Sequence, residues 1–462
     1  MKKIIIKSIL IVMLSNIGVL NNEINAQSIS AGGFHNLLIC TGGLPQSVGY
    51  NAGGQLGDGT FVNKTTPVQV LGLTDITAVA TGNYFSLFLK NDGTVWATGR
   101  NDYGQLGDGT IVAKLTPFQI PLLTGIIAIS GGGDHSLFLK NDGTVWATGW
   151  NFSGQLGDGT NVDKSIPIQI PGLTGITAIT GGIYHSLFLK NDGTVWSVGR
   201  NLYGQLGDGT SINKNIPIQV LGLTGITAFA AGGYFSLFLK NDGTAWAVGR
   251  NDMGQLGDGT NVNKFTPVQV LGLTGVIDLA AGWEFSLFVK NDGTVRAVGR
   301  NNFGQLGDGT TINKITTVLV PGLSGIIAVE GGWEYSLFLK NDGTIWTVGK
   351  NDGGQLGDGT YVNKSTPVQM TGACSVTLGI KENNTDNSIA VYPNPSNEKL
   401  FIETNEYQNM TVEIFDLQGQ LLHSIPLQSS KTTLQINQLS SGIYLVQLKN
   451  PKGTIVKKIV KN

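Results

Sequence analysis

The chain is poor in charged residues and in cysteine, and its formal net charge is close to zero. Asp, Glu, Lys and Arg make up 13% of 462 residues, about half of the usual ~25%. A net charge of −1 argues against a basic nucleic-acid-binding surface. No segment beyond the N-terminal leader approaches eighteen consecutive apolar residues, so no membrane-spanning helix is predicted. Glycine, by contrast, is abundant, with 67 residues, which indicates a turn-rich β protein.

The N-terminus has the pattern of a secretory signal peptide, which we assign to residues 1–26. Lys2, Lys3 and Lys7 precede a mostly apolar run at residues 9–20, and Ala26 provides a small residue for cleavage. Export permits a disulfide, but the spacing of the two cysteines, Cys40 and Cys374, indicates no metal site. The sequence leaves open whether they are bridged or remain two buried free thiols, with free thiols the simpler expectation.

A fifty-residue repeat dominates the chain from residue 27 to residue 372. The heptapeptide GQLGDGT begins at Gly54, Gly104, Gly154, Gly204, Gly254, Gly304 and Gly354. In the copy at residues 231–280, strands are predicted at 235–240, 245–248, 267–271 and 276–280, with a hairpin turn at 241–244. Four short strands in each fifty-residue unit predict the blade of a β-propeller, and seven copies predict seven blades.

The ends of the array suggest how the ring closes. After Met370 the last copy lacks the Gly-Ile-Thr-Ala-Ile segment, whereas residues 27–33 have the phase of residues 227–233. We therefore expect the mature N-terminus to supply the missing strand of the seventh blade and remove the open edges. The predicted fold class is all-β, a seven-bladed propeller closed by the N-terminal strand and followed by a small β-sandwich.

The repeated GxNxxGQLGDGT pattern and the form Gly181-Gly182-Ile183-Tyr184-His185-Ser186-Leu187 resemble the regulator of chromosome condensation repeat. The resemblance extends from Gln27 to about Thr371 and implies a seven-bladed propeller. The family includes guanine-nucleotide exchange factors, enzyme inhibitors and adaptors, so the fold implies no single activity. Exchange on a nuclear GTPase would have no purpose in an exported protein.

The C-terminal part carries a second resemblance. A polar linker at residues 373–388 leads to residues 389–462, which contain Val391-Tyr392-Pro393-Asn394-Pro395, Phe415-Asp416-Leu417-Gln418-Gly419, Ser441-Gly442-Ile443-Tyr444 and a basic end. These motifs are similar to the type A sorting domain of the type IX secretion system. The resemblance implies a small β-sandwich with turns at 418–419 and 452–453, an interaction with that secretion machinery, and export to the surface or surroundings of a Gram-negative bacterium.

Comparison of the seven copies separates a constant rim of the predicted propeller from a variable one. The Asn-Asp-Gly-Thr and Gly-Leu-Thr-Gly turns barely change and are predicted to share one rim. The loops on the other rim vary and are rich in aromatic residues and arginine, which binding hot spots favour. The candidate binding residues are Tyr84, Tyr184, Tyr234, Trp283, Trp333, Tyr103, Phe152, Tyr203, Arg100, Arg200, Arg250 and Arg300. The alternative is that these rings pack against neighbouring blades.

No catalytic, metal or cofactor site is predicted. Asp58 and its six equivalents offer one carboxylate per loop, too few for calcium, and are expected to bond their own loop backbone. His35, His135 and His185 share one repeat phase and are expected to be structural. Single-copy departures from the repeat come with no base or nucleophile; they are Asp134, Asp278, Arg296, Glu330 and Lys350.

We therefore predict an exported, non-enzymatic module that binds a protein or glycan, without nucleic-acid binding. Three alternatives remain: an inhibitor of a secreted enzyme, a polysaccharide-processing enzyme, which would need a pair of carboxylates in one cleft, and a structural surface-layer protein.

Overall fold

The computed structural model describes residues 28–374, 376, 389–393, 396–404, 410–415, 421–440, 442–450 and 453–461. They fall into two compact units, one ending at Val376 and one beginning at Ile389. The predicted signal peptide, the linker residues 377–388 and the predicted turn at 418–419 lie outside the described residues.

The first unit consists of seven four-stranded antiparallel sheets, each formed by consecutive strands. The first blade contains β1 (Ile29–Ala31), β2 (His35–Cys40), β3 (Leu44–Gly49) and β4 (Lys64–Gln69). The second contains β5 (Ile76–Thr81), β6 (Phe85–Lys90), β7 (Val95–Gly99) and β8 (Lys114–Gln119). The third contains β9 (Ile126–Gly131), β10 (His135–Lys140), β11 (Val145–Gly149) and β12 (Lys164–Gln169).

The remaining four blades repeat this pattern with nearly constant strand lengths. The fourth contains β13 (Ile176–Gly181), β14 (His185–Lys190), β15 (Val195–Gly199) and β16 (Lys214–Gln219). The fifth contains β17 (Ile226–Ala231), β18 (Phe235–Lys240), β19 (Ala245–Gly249) and β20 (Lys264–Gln269). The sixth contains β21 (Val276–Ala281), β22 (Phe285–Lys290), β23 (Val295–Gly299) and β24 (Lys314–Leu319). The seventh contains β25 (Ile326–Gly331), β26 (Tyr335–Lys340), β27 (Ile345–Gly349) and β28 (Lys364–Gln369).

The seven-bladed propeller is confirmed, but the place of its N-terminal strand differs from the prediction. Residues 29–31 form the first strand of the first blade and pair with β2, whereas the seventh blade is complete without them. The reason is local. Each strand of the Ile-Thr-Ala type is joined by a short glycine-containing loop to the strand that follows it, so the two form a hairpin. The Gly-Leu-Thr-Gly segment is therefore the connection between blades.

The core of the propeller lies between adjacent sheets. Side chains on both faces of the second strand of each blade are buried, including Leu137 and Phe138 of β10. Leu137 packs into one cluster with Ile179 and Phe188 of the fourth blade, and Phe138 packs into another with Leu87 of the second. This arrangement explains why these strands are apolar throughout instead of alternating with polar residues.

A ring of backbone hydrogen bonds links every blade to the next. The amide of the last glycine in each GQLGDGT loop donates to a carbonyl near the start of the next blade's fourth strand, at 2.8–3.1 Å. In chain order the acceptors are Leu115, Ser165, Asn215, Phe265, Ile315, Ser365 and Thr65. Because the seventh acceptor, Thr65, lies in the first blade, the ring is closed.

Additional contacts mark the junction between the first and seventh blades. Cys40 forms a disulfide with Cys374, so the bridged alternative is the one that the structure shows. The buried Tyr335 hydroxyl donates to the Asn36 side chain at 2.8 Å, in the positions that a histidine and a serine occupy at three other junctions. Ile29 packs there against Leu337 and Leu339 of the seventh blade. The N-terminal strand thus closes the ring by packing on the seventh blade and not by joining its sheet.

Deletion of residues 27–31 should lower the melting temperature of the propeller by several degrees. The deletion removes the buried Ile29 side chain and the Ser30 hydroxyl, which lies 2.8 Å from Thr81 Oγ1. It also exposes the edge of β2 to solvent. Thermal unfolding of the mature chain beginning at Gln27 is the reference. An identical transition in the shortened chain would contradict the closing role of this strand.

The second unit is a small β-sandwich, as predicted. One sheet contains β29 (Ile389–Tyr392), β30 (Lys399–Thr404) and β33 (Lys431–Gln435). The other contains β31 (Thr411–Phe415), β32 (Leu421–Pro426), β34 (Gly442–Asn450) and β35 (Gly453–Lys461). Their facing sides bury a core that includes Leu400, Val412 and Val446. No helix in the described part of the chain is long and apolar enough to span a membrane.

Candidate functional site

The two rims of the propeller differ as the repeat comparison predicts. On the constant rim the two kinds of turn bond to each other, as where the Asn141 amide donates to the Gly125 carbonyl at 3.0 Å. On the opposite rim, the loop between the first two strands of a blade lies beside the long loop between its last two strands. We call this second surface the variable rim; it is formed by the loops equivalent to residues 32–34 and 50–63.

A glycine at the end of the third strand positions the variable rim. Gly99 has a φ of 112°, and a side chain at this position would lie 2.5 Å from the Tyr84 carbonyl oxygen. The close approach lets the Arg100 amide donate to the same carbonyl at 2.9 Å. Glycine is favoured here because other residues rarely adopt this conformation. All seven blades have a glycine at this phase, so the residue after it lies beside the first loop of its own blade.

Three sets of equivalent residues form successive positions on the variable rim. The innermost set, which lines the axial cavity, is Gly33, Asn83, Gly133, Ile183, Gly233, Trp283 and Trp333. The second set is Phe34, Tyr84, Asp134, Tyr184, Tyr234, Glu284 and Glu334. The third set is Tyr50, Arg100, Trp150, Arg200, Arg250, Arg300 and Lys350.

The aromatic residues of the variable rim form two clusters. In the first, Trp283 stacks on Trp333 with ring centroids 5.2 Å apart, Trp333 contacts Phe34 at 4.7 Å, and Phe34 stacks on Tyr84 at 5.2 Å. In the second, Tyr184 stacks on Tyr234 at 4.9 Å, and Trp150 contacts Tyr184 at 5.6 Å. Tyr103, Phe152 and Tyr203 extend the second cluster outward.

The arginines of the third set lie over these rings. Arg100 lies over Tyr84 at 5.6 Å from the ring centroid, and Arg200 lies over Tyr184 and Tyr234 at 5.0 and 5.3 Å. Arg250 lies over Tyr203 and Tyr234, and Arg300 over Trp283. These cation–π contacts hold the guanidinium groups in place, so the variable rim is preorganised.

The predicted binding residues lie on one rim, but not all at one depth. Tyr84, Tyr184, Tyr234, Trp283 and Trp333 are half-buried, so each ring packs on a neighbour and also presents surface to solvent. Trp283 and Trp333 belong to the innermost set, one position nearer the axis than the tyrosines. Phe152 is 73% exposed. Sequence comparison did not select Phe34, Trp150 or the acidic residues of the second set, whose contacts cross between blades.

The three histidines are structural, as expected. His35, His135 and His185 are buried and contact serine hydroxyls of the next blade at 2.8–2.9 Å. Ser86 already donates its hydroxyl proton to the Gln55 carbonyl, so His35 Nε2 must carry the proton that it shares with Ser86. The Nδ1 atoms of the three histidines are buried and have no hydrogen-bond partner in the part of the chain that the structure describes. Burial lowers the pKa of each of the three histidines to about 3.

The repeated aspartates bond within their own loops. Asp58 accepts hydrogen bonds from Asn51 and from the amide and hydroxyl of Thr60, and it pairs with Lys64 at 3.3 Å. Burial raises the pKa of Asp58, but these bonds outweigh it and leave the pKa below its usual value. The lysine ammonium already supplies the positive charge that a calcium ion would bring to this carboxylate.

The single-copy departures do not all lie together. Asp134 and Lys350 belong to the variable rim, and Arg296 lies on β23 in the position of a tryptophan in five other blades. Asp278 and Glu330 both line the axial cavity, which has a volume of about 140 Å³. Asp278 is only 3% exposed and accepts a hydrogen bond from the Val329 amide at 3.0 Å.

The comparisons with known proteins agree with this architecture. The RCC1-like domain profile matches residues 18–286 and 126–396. The chain belongs to the RCC1-like domain family. The secretion system C-terminal sorting domain matches residues 390–462. The second unit of this RCC1-like protein is thus a type IX sorting domain, which assigns the protein to secretion or the cell surface and its C-terminus to the type IX machinery.

Solved structures of RCC1-like propellers share the fold. Human WBSCR16 is 24% identical with a TM-score of 0.64, over 70% of this chain and 92% of its own. Yeast RCC1 (Prp20) bound to Kap60 is 19% identical with a TM-score of 0.63, over 74% of this chain and 84% of its own. Prp20p from Saccharomyces cerevisiae is 20% identical with a TM-score of 0.64, over 80% and 90%. No curated protein has a significantly similar sequence.

Proposed function

We propose that this protein is an exported binding module that recognises a macromolecule outside the cell through the variable rim. The observation that carries the proposal is the contrast between the rims of one scaffold. The constant rim repeats the same turns, whereas the variable rim holds two half-exposed aromatic clusters crossed by arginines. Aromatic and arginine residues held in fixed positions are the usual energetic centres of binding interfaces.

The relatives support binding in preference to catalysis. Yeast RCC1 was solved in complex with Kap60, and propellers of this family offer a broad, rigid surface for such partners. Because the sorting domain implies export, we expect the partner to lie outside the cell. The partner is a protein or a glycan, since aromatic rings with arginines suit both.

Hydrolysis of a polysaccharide is the alternative, because Asp278 and Glu330 line one cavity. Two properties argue against it. The cavity, at about 140 Å³, is smaller than typical ligand pockets of about 300–1,000 Å³. Asp278 is buried and bonded to the backbone, whereas a glycosidase needs both carboxyl groups beside the scissile bond. We therefore propose a non-enzymatic role.

Loss of two rim aromatics should abolish partner capture. The double variant Phe152→Ala/Trp283→Ala removes one exposed ring from the second cluster and one stacked ring from the first. We expect capture of glycans on an array, or of surface proteins from the producing bacterium, by the full mature chain to fall at least tenfold.

The matched control is Leu122→Ala, which removes an apolar side chain that is 82% exposed on the constant rim. It should leave capture unchanged. Equal losses in both variants, or no loss in either, would place recognition elsewhere and contradict the proposal.

A further inference from the structure

Three carboxylates occupy the second set of the variable rim, and two of them are neutralised by the chain itself. Glu284 receives Arg250 of the preceding blade at 2.5 Å and Arg300 of its own blade at 2.9 Å. Glu334 receives Lys350 of its own blade at 2.9 Å and Arg300 of the preceding blade at 3.5 Å. Each glutamate therefore has one cation from its own blade and one from the blade before.

Asp134 holds the same position in the third blade with neither cation bonded to it. In the third blade, Trp150 occupies the position at which the sixth and seventh blades have Arg300 and Lys350. Arg100 of the preceding blade bonds Asp102 through Nε at 2.5 Å and lies over Tyr84. Asp134 Oδ1 is buried and makes no hydrogen bond within the described residues.

Asp134 is half-buried, and this partial burial has a cost that the chain offsets only in part. Burial raises the pKa of Asp134, and the nearby positive charge of Arg100 only partly counters that effect. A partly buried carboxylate that lacks a bonded cation destabilises a protein unless a partner supplies one.

The surroundings of Asp134 suit a cationic side chain. The Trp150 backbone amide donates to the Asp134 backbone carbonyl at 2.8 Å, so the two residues are neighbours on the variable rim. Trp150 stacks on the exposed Phe152 and contacts Tyr184. Aromatic faces beside a carboxylate bind ammonium and guanidinium groups through cation–π attraction together with the ion pair.

We propose that Asp134 and Trp150 form a binding site for an arginine or lysine side chain of a protein partner. The incoming cation pairs with Asp134 as Arg300 pairs with Glu284 and Lys350 pairs with Glu334. A neutral sugar would satisfy the oxygen but not the charge, so the observations favour a basic peptide segment. The inference rests on the proposed function and names the chemistry that one part of the variable rim recognises.

Two substitutions in the full mature chain test the site. Trp150→Arg supplies the own-blade cation in cis and should fold normally, since Arg100, Arg200, Arg250 and Arg300 occupy this position in four blades. Asp134→Asn removes the charge at nearly constant size. The probe is the peptide acetyl-Gly-Gly-Arg-Gly-Gly-amide, with the citrulline peptide as its neutral isostere, and binding is followed by calorimetry and by tryptophan fluorescence.

We expect the arginine peptide to bind the unaltered protein at least tenfold more tightly than the citrulline peptide, and both variants to lose this preference. Trp150→Arg should also raise the melting temperature. Equal binding of the two peptides, or an unaltered preference in both folded variants, would overturn the site. Binding of neutral hexasaccharides that Asp134→Asn abolishes would also overturn it in favour of a sugar. None of these results would change the outcome expected for the Phe152→Ala/Trp283→Ala variant. The proposed function and the Asp134 site can therefore fail separately.

Discussion

A change from pH 7 to pH 4.5 should destabilise the propeller by about 8 kcal/mol. Burial lowers the pKa of each of His35, His135 and His185 to about 3, whereas an unfolded histidine has a pKa of about 6.5. The unfolded chain therefore binds more protons between these values. The stability is fully present above pH 6.5 and is lost as the pH falls through that value towards 3. Linkage gives between about 2 and 3 kcal/mol for each histidine at pH 4.5.

The physical cause is the loss of solvent around the buried imidazole, which leaves a second proton without a partner. Nε2 donates to the serine of the next blade, so a second proton would have to reside on Nδ1, which is buried without a partner. Apart from Asp134, whose pKa burial raises, carboxylates protonate nearer pH 4, so the interval from pH 6.5 to 4.5 reports mainly on the three histidines. Urea unfolding at a series of pH values measures the effect.

The matched variant replaces all three histidines with phenylalanine, the residue that the chain itself has at Phe85, Phe235 and Phe285. This variant should fold at neutral pH and keep its stability down to about pH 4.5. The same acid sensitivity in the triple variant would show that other groups are responsible.

Replacement of Cys40 and Cys374 by serine should lower the free energy of unfolding by about 4–6 kcal/mol. The bridge joins residues separated by 334 positions, and the chain-entropy description gives about 6 kcal/mol for a loop of this length. The melting temperature should fall by roughly 6–8 °C, because the unfolded propeller gains the freedom of an open chain.

The reduced wild-type protein is the control for the disulfide. It should unfold at the same temperature as the Cys40→Ser/Cys374→Ser variant, and reduction should not affect the variant. Calorimetry of the wild type and the variant, each oxidised and reduced, measures the four transitions. An unaltered melting temperature in the variant would mean that the noncovalent contacts of Tyr335 and Ile29 suffice to hold the ring together.

The repeated strands were predictable because each copy confirmed the others. Residues 235–240 form β18 as predicted. The returning strand, β19, was predicted at 245–248 and ends one residue later, at Gly249. The fourth strand was predicted at 267–271 but lies at Lys264–Gln269. Its bounds depend on pairing with β19, where the register shifts between Ala247 and Gly249. The grouping of strands into blades was wrong, because periodicity alone does not show where one period ends.

The composition of the variable rim was predictable, but its contacts were not. Repeat phase placed Tyr184 and Arg200 on one rim, and the structure confirms that position. Phe34 stacks on Tyr84 and contacts Trp333, which joins the two ends of the array; no local sequence pattern indicates these contacts. The ion pairs of Glu284 likewise depend on how far one blade is rotated from the next.

The equivalent hydrogen bonds between successive blades, from the GQLGDGT glycines to the neighbouring fourth strands, have an evolutionary consequence. Since each module presents the same docking edges, recombination between copies can exchange one module for another and rearrange the recognition surface without disturbing the scaffold. The number of modules is more constrained than their order. An extra or missing module would change the angle between adjacent sheets at every junction and disturb the close packing of side chains such as Leu137 between them, so selection can diversify the order of the modules while their number stays at seven.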